Sequence, residues 1–74
     1  MIMSKPILYH QHGCGMCKAL EMLLTKKGIE FDSVLITLDN IDEYKEKGII
    51  GTPALEVDGK ILIKKEASEW VREH

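Results

Sequence analysis

The sequence has few of the residues on which secreted, membrane or nucleic-acid-binding domains rely. Its 74 residues contain only two cysteines and two prolines, and two cysteines cannot form the disulfide framework of a small secreted domain. No apolar run approaches the roughly 20 residues of a membrane-spanning helix. Ten Lys and Arg against twelve Asp and Glu leave no basic excess that would favour nucleic acid.

The remaining composition is that of one small globular domain. Apolar residues make up 45% of the chain and charged residues 30%, a balance typical of folded rather than disordered chains. We therefore treat residues 1–74 as a single domain. The start, Met1 to Pro6, has one Lys and no apolar core after it, so we expect no secretory signal. The expectation is a cytoplasmic monomer that binds neither nucleic acid nor membrane.

The first half of the chain predicts a strand, a helix and a second strand. An apolar run, Ile7 to Tyr9, indicates a strand within residues 5–10, and residues 11–15 form a turn with two glycines. Helical spacing then joins five apolar residues, Met16, Ala19, Leu20, Leu23 and Leu24. Gly28 ends this helix after the pair Lys26-Lys27, which, like Lys64-Lys65, is interpreted as solvated surface. A second strand over Phe31–Leu38 completes a right-handed βαβ unit with parallel strands.

The second half predicts a short helix, a hairpin and a closing helix. Residues 39–42 offer a cap and early acidic groups for a helix that runs to about Lys47. Strands at Ala54–Val57 and Lys60–Ile63 flank Asp58-Gly59, a strong hairpin signal. A last helix over Glu66–Arg72 places three apolar residues on one face, Ala67, Trp70 and Val71. The predicted fold is α/β, ordered βαβαββα, with a four-stranded mixed sheet flanked by three helices.

The segment Cys14-Gly15-Met16-Cys17 carries the chemistry. It lies where the loop after the first strand becomes the first helix, and free N–H groups and the helix dipole put partial positive charge there. A thiol at that end is shifted toward the nucleophilic thiolate. The spacing brings the second sulfur within reach of the first. Cys14 is therefore the predicted nucleophile, and Cys17, one turn into the helix, the more buried resolving thiol.

Several neighbours of the cysteine pair are candidates for tuning the thiolate. Lys18 lies four residues after Cys14 on the same face and can add positive charge, although an ordinary surface lysine of an amphipathic helix is the favoured interpretation. His10 and His12 precede the pair and can stabilise a thiolate or relay a proton; the alternative is a strand end and a plain loop. Met16 is expected to be exposed at the loop tip and to face partners, with core packing as the alternative.

Gly51-Thr52-Pro53, just before the third strand, is the second feature of the predicted site. Proline is tolerated at the start of a strand, where its missing N–H does least harm. Only about 5–6% of X-Pro bonds in folded proteins are cis, so composition alone favours trans.

Taken together, these motifs resemble glutaredoxin and, more broadly, the thioredoxin-like fold at its minimal size. The likeness runs from about Lys5 to Val71 and depends on the joint occurrence of Cys14-x-x-Cys17 and Thr52-Pro53. It implies that Pro53 is cis and packs against the cysteines. It also implies that the backbone of Thr52 pairs with a substrate peptide or glutathione. The substrate-binding positions would be Gly13, Gly15, Met16, Thr52 and Pro53.

The chain departs from the family pattern at several positions. Gly15-Met16 replaces the common Pro-Tyr between the cysteines, and Gly13 replaces the Trp that thioredoxins have there. Gln11 stands where glutathione-using members have a lysine. Lys64-Lys65 replaces their Gly-Gly pair after the fourth strand. The small redoxins that thioredoxin reductase reduces, some of which serve ribonucleotide reductase, are an equally good comparison.

The predicted function is that of a dithiol–disulfide oxidoreductase that needs no metal or organic cofactor. Its partners would be disulfide-bearing proteins, ribonucleotide reductase among the candidates, and its electron donor glutathione or a thioredoxin reductase. An alternative is a module that binds zinc or Cu(I) through both cysteines, His10 and His12. A third is an iron–sulfur carrier, which the paired cysteines disfavour.

Overall fold

The computed structural model describes residues 5–74 and follows the order βαβαββα. The strands are β1 (Ile7–His10), β2 (Asp32–Leu35), β3 (Ala54–Val57) and β4 (Lys60–Ile63). The helices are α1 (Gly15–Lys26), α2 (Ile41–Glu46) and α3 (Lys65–Glu73). The predicted fold class is confirmed.

The strands form one mixed sheet in the order β2-β1-β3-β4. β1 and β2 are parallel, with Leu8 opposite Ser33. β3 runs antiparallel to β1, with Leu8 opposite Leu55, and β4 runs antiparallel to β3. The carboxyl end of β1 thus leads into the loop before α1, in the middle of the sheet rather than at its edge.

The hairpin between β3 and β4 has the predicted strand bounds. Asp58 and Gly59 have φ angles of 50° and 82°, the two positive values that a type I′ turn requires. Because this turn twists in the same sense as the strands, it sets their register at Val57 opposite Lys60.

α1 ends as its sequence predicts. Gly28 has a φ of 72°, and its N–H donates to the carbonyl of Thr25 while the N–H of Ile29 donates to that of Leu24. This pair of bonds is a Schellman motif, which satisfies carbonyls that the helix leaves free.

The helices cover both faces of the sheet. On one face α1 and α3 pack with the sheet in a core cluster: Leu8, Leu20, Leu24, Leu55, Ala67 and Val71. On the other face a second cluster contains Tyr9, Ile36, Ile49 and Ala54, with Tyr44 of α2 against it. Leu8 and Tyr9, which are consecutive residues of β1, pack on opposite faces of the sheet because side chains alternate along a strand. Trp70 of the closing helix packs, partly buried, against the first cluster.

β2 is shorter than the predicted strand over Phe31–Leu38. Pairing persists to Ile36, whose N–H donates to the carbonyl of His10. The next N–H, that of Thr37, donates instead to Oδ1 of Asn40 at 2.7 Å. This side-chain bond turns the chain away from the sheet, and Leu38 is consequently 91% exposed.

One of the lysines interpreted as solvated surface has a structural partner. The Nζ of Lys27 donates to the carbonyl of Val71 at 2.7 Å and to that of Arg72 at 2.6 Å. A cation at the carboxyl end of a helix is favourable because unpaired carbonyls and the helix dipole make that end negative. Lys27 therefore ties the end of α1 to the end of α3.

A polar network joins the segment after α2 to the sheet. The hydroxyl of Tyr9 donates to Glu56 Oε1 at 2.8 Å, and Lys47 Nζ lies 3.1 Å from the same oxygen. The Tyr9 ring also packs against the Tyr44 ring, with centroids 5.2 Å apart. These contacts hold α2 against the sheet.

None of the helices in the described part of the chain is long and apolar enough to cross a membrane.

Candidate active site

The two cysteines lie at the amino-terminal end of α1 and are joined by a disulfide bond. Their Cα atoms are 5.2 Å apart. Cys14 is the residue that caps the helix, with an extended φ of −89° and ψ of 100°. Cys17 is 3% exposed, whereas Cys14 is half-buried. An incoming group therefore has easier access to the Cys14 sulfur.

One backbone N–H donates to the sulfur of Cys14, and a second backbone bond closes the loop before it. The sulfur accepts a hydrogen bond from the N–H of Cys17 at 3.1 Å, in the place that a Ser or Asp oxygen takes at other helix starts. The loop before it is closed by the N–H of Cys14, which donates to the carbonyl of Gln11 at 3.3 Å. Gly13 within that loop has a φ of 75°, a conformation that favours glycine. The sulfur thus lies in the positive field of the helix end.

An open cavity of about 450 Å³ adjoins both cysteines. Three of the candidate tuning residues line it, His10, His12 and Lys18, together with Gly13 and Gly15. Glu21, one turn after Lys18, supplies a carboxylate on the same wall. The cavity therefore places imidazoles, an ammonium group and a carboxylate beside the disulfide.

The segment before β3 meets the cysteine loop through one side-chain contact. The hydroxyl of Thr52 donates to Gln11 Oε1 at 2.9 Å. Pro53 is buried and follows a cis peptide bond, and its carbonyl accepts the N–H of Lys64 at 2.7 Å. Gln11, Gly51 and Thr52 share a small pocket of about 50 Å³; Thr52 and Pro53 do not line the cavity beside the cysteines.

The backbone of Thr52 is available for pairing. Within residues 5–74, no hydrogen bond engages its N–H or its carbonyl. An extended peptide that binds by strand addition forms its main-chain hydrogen bonds with an unpaired N–H and an unpaired carbonyl of this kind.

Met16 lies apart from the cavity. Its side chain is 57% exposed and lines a shallow groove with Ser68 and Arg72 of α3. Gly15 is the first residue of α1. Of the residues between the cysteines, only Gly15 borders the cavity beside the disulfide.

The histidines do not complete a metal site with the cysteines. Among the residues that the structure describes, no three or more His, Cys, Asp or Glu side chains are grouped to hold a metal ion. No contact within this range therefore favours the zinc or Cu(I) alternative.

Sequence reasoning missed the roles of three residues at the site. Gln11 bridges the two loops, Glu21 joins the cavity wall, and the side chain of Lys64 lies over Gly51. A Cβ placed on Gly51 would be 3.1 Å from Lys64 Cε and 3.8 Å from Lys64 Nζ. The spacing of Glu21 from Cys17 and Lys18, one turn along α1, was a usable signal. Nothing local links Gln11 to Thr52, or Lys64 to Gly51.

Comparisons with known proteins agree with this geometry. The family model for glutaredoxin matches residues 1–62. Among solved structures, the chain is similar to a mutant of the thioredoxin-like protein BC3987, with a TM-score of 0.69 and 14% identity. That match covers 92% of this chain and 96% of the other, and at this identity it shows the fold alone. A search of curated proteins found no significant match. With its family model matched over most of its length, the chain belongs to the glutaredoxin family.

Proposed function

We propose that this protein is a dithiol–disulfide oxidoreductase that reduces disulfides in other proteins or in glutathione mixed disulfides. The family and the Cys14–Cys17 disulfide fit a thiol–disulfide oxidoreductase. The observation that carries the finer proposal is the bond from the Cys17 N–H to the Cys14 sulfur at the helix start. A donor aimed at this atom stabilises it when it is negatively charged.

The first step is attack by the reduced Cys14 thiolate on a sulfur of the target disulfide. A bond forms between Cys14 and that sulfur, the target disulfide breaks, and its other sulfur leaves as a thiolate that takes up a proton. Cys14 is the attacking residue because it is the more accessible of the two cysteines.

The second step resolves the mixed disulfide. Cys17 loses its proton, attacks the Cys14 sulfur and releases the second target thiolate, which is protonated in turn. Two electrons and two protons pass from the dithiol to the target, and the Cys14–Cys17 disulfide remains. In the disulfide form the Cα separation of 5.2 Å lies within the usual range for a disulfide.

Thr52 orients the substrate in this proposal. Its open N–H and carbonyl pair with the backbone of an extended substrate segment, and Pro53 supports it from the buried side. The bond from Thr52 to Gln11 couples this segment to the loop that carries Cys14. The cavity is lined by His10, His12 and Lys18. Each of these residues is in a position to stabilise the thiolate or to take part in proton transfer.

The electron donor returns two electrons to the disulfide after each turnover. The family implies disulfide-bearing substrates and glutathione as partners in general. We propose either two glutathione molecules, oxidised together to their disulfide, or a thioredoxin reductase. Two coupled assays distinguish the donors: oxidised protein is offered glutathione with glutathione reductase, or thioredoxin reductase, and NADPH consumption is followed.

Single-cysteine variants test the mechanism. We expect Cys14→Ser to abolish reduction of a protein disulfide, and Cys17→Ser to retain the first step and accumulate a mixed disulfide that mass spectrometry detects. Full reductase activity in Cys14→Ser would refute the proposal. If instead the Cys14→Ser variant forms a mixed disulfide on Cys17 as fast as the wild type reacts with the target disulfide, Cys17 is the attacking residue and Cys14 the resolving one.

A further inference from the structure

Lysine side chains surround the substrate-binding segment. Lys45 of α2 lines the small pocket with Gln11, Gly51 and Thr52. Lys64 follows this segment in sequence, and its side chain lies over Gly51. Lys18 adds a third ammonium group on the cavity beside the cysteines.

Carboxylates are scarce on the same surface. Of the residues lining the cavity and the small pocket, Glu21 is the one acidic residue. In the described range, the one ion pair joins Lys47 to Glu56 and leaves Lys18, Lys45 and Lys64 without an acidic partner. The exposed carboxylates of α2, which are Asp42, Glu43 and Glu46, line neither the cavity nor the small pocket. The residues that line these two spaces therefore carry two lysines and one glutamate, in a chain whose formal charge is −2.

The lysines lie where a bound peptide would run. The backbone groups of Thr52 are open for pairing, and the side chain of Lys64 lies over Gly51, the residue before it. Ile50, 77% exposed, supplies an apolar surface beside the same segment. A peptide paired with Thr52 therefore comes within reach of the ammonium groups of Lys45 and Lys64, because the four-carbon side chain of lysine is flexible.

We infer that this surface selects protein disulfides whose flanking residues are acidic. The inference rests on the proposed function and names the substrate class for the same site. Carboxylates next to the reacting cysteine pair with Lys45 and Lys64, and the positive surface raises the rate at which such segments encounter the disulfide site.

The expected effect is moderate because both lysines are exposed. A single exposed ion pair changes an equilibrium constant by roughly 1.4- to 5-fold. Two such pairs, with some steering, predict that an acidic substrate reacts about three to ten times faster than a neutral one. Salt screens exposed charges, so the preference shrinks as ionic strength rises.

Three synthetic peptides with one intramolecular disulfide test the inference. They differ only in the residues flanking one cysteine, which are Glu, Gln or Lys. The chemically reduced protein is mixed with each peptide, and the second-order rate constant of exchange is measured at about 20 mM and about 300 mM salt, a range that shortens the Debye length several-fold. This assay needs no electron donor.

A pair of double variants locates the effect. Lys45→Gln with Lys64→Gln removes the two charges beside Thr52, and we expect the Glu-to-Gln rate ratio to fall to about one. Lys26→Gln with Lys60→Gln is the matched control, since it removes the same charge from the far end of α1 and from the hairpin end of β4. We expect this control to keep the wild-type ratio.

The outcomes separate the two proposals. Equal rates for the Glu and Gln peptides, or a preference that the control pair removes as completely as the Lys45 and Lys64 pair, would overturn the inference while the proposed function stands. Failure to reduce any peptide would overturn the proposed function and the inference with it. A salt-sensitive Glu preference that only the Lys45 and Lys64 pair loses supports both.

Discussion

The hydroxyl of Thr52 donates a hydrogen bond to Oε1 of Gln11 at 2.9 Å, across a sequence separation of 41 positions. Gln11 also accepts, through its carbonyl, the N–H of Cys14. One residue therefore connects the loop of the redox disulfide with the segment proposed to bind substrate.

A double-mutant cycle measures this connection. We expect Thr52→Val and Gln11→Ala each to lower the free energy of unfolding, with a coupling of about 0.5–1.5 kcal/mol between them, the net value of a neutral hydrogen bond. Urea unfolding of the two single variants and the double variant gives the coupling. Thr25→Val replaces Thr52→Val in the control cycle, because the Thr25 hydroxyl bonds within α1 to the carbonyl of Glu21. Additive effects at Gln11 and Thr52 would show that the bond contributes nothing to stability.

The thiol of Cys14 is expected to ionise at lower pH than a free cysteine. In Cys17→Ala the backbone N–H of residue 17 remains to donate to the Cys14 sulfur, as it does in the disulfide form. The helix end adds positive potential, so the pKa should lie below the value of about 8.5 for an unperturbed thiol. Thiolate absorbance followed against pH measures it.

The matched control for this titration is Cys14→Ala, which leaves Cys17 as the single thiol. Cys17 is 3% exposed, and burial disfavours the charged form. We therefore expect Cys17 to ionise at higher pH than Cys14. Reversed order, or an unshifted Cys14, would remove the argument from the helix terminus.

Local patterns predicted the elements whose ends depend on local chemistry. The hairpin strands have their predicted bounds because Asp58-Gly59 sets the turn and the register together. α1 stops before Gly28 because that residue adopts the left-handed conformation of a helix cap. The cysteine pair was placed at the helix start because the spacing and the glycines mark the change from loop to helix.

Contacts between distant segments account for what the sequence did not predict. β2 ends early because the Asn40 side chain takes the N–H of Thr37, whereas the apolar run continues to Leu38. Lys27 bonds to carbonyls 44 and 45 positions away, which no local charge pattern indicates. The lysines near Thr52 come from α2 and from the residue after β4, so their convergence is visible only in the fold.

The Tyr9–Glu56–Lys47 network makes stability depend on pH. The hydrogen bond from Tyr9, followed by that from Lys47, lowers the pKa of Glu56. A carboxyl whose pKa is lower in the folded state stabilises the fold above its unfolded pKa of about 4.3. That contribution is lost as the pH falls through the folded value. We expect Glu56→Gln to lower the free energy of unfolding at pH 7 by about 1 kcal/mol, and by less at about pH 3, where the carboxyl of the unfolded chain is already mostly protonated.

Urea unfolding at the two pH values measures this difference. Glu69→Gln, on the exposed side of α3, is the control, and we expect little change at either pH. An equal loss of stability in Glu56→Gln at both pH values would mean that its ionisation does not contribute. At the alkaline end, burial and the Glu56 hydrogen bond raise the pKa of Tyr9. The neutral phenol therefore stabilises the fold below about pH 10, and this stabilisation is lost as the pH rises through the folded value.

The last prediction concerns the bond between the two helices on one face of the sheet. Lys27 Nζ donates to two carbonyls at the end of α3, and Lys27→Met keeps the apolar stem while removing the donor. We expect a loss of about 0.5–1.5 kcal/mol in the free energy of unfolding and faster amide exchange in the last turn of α3, because its carbonyl partners are released. Lys26→Met is the control, since the ammonium group of Lys26 makes no hydrogen bond to α3 in the described structure. Equal effects of the two substitutions would show that general charge near the end of α1, rather than the bond to α3, is what matters.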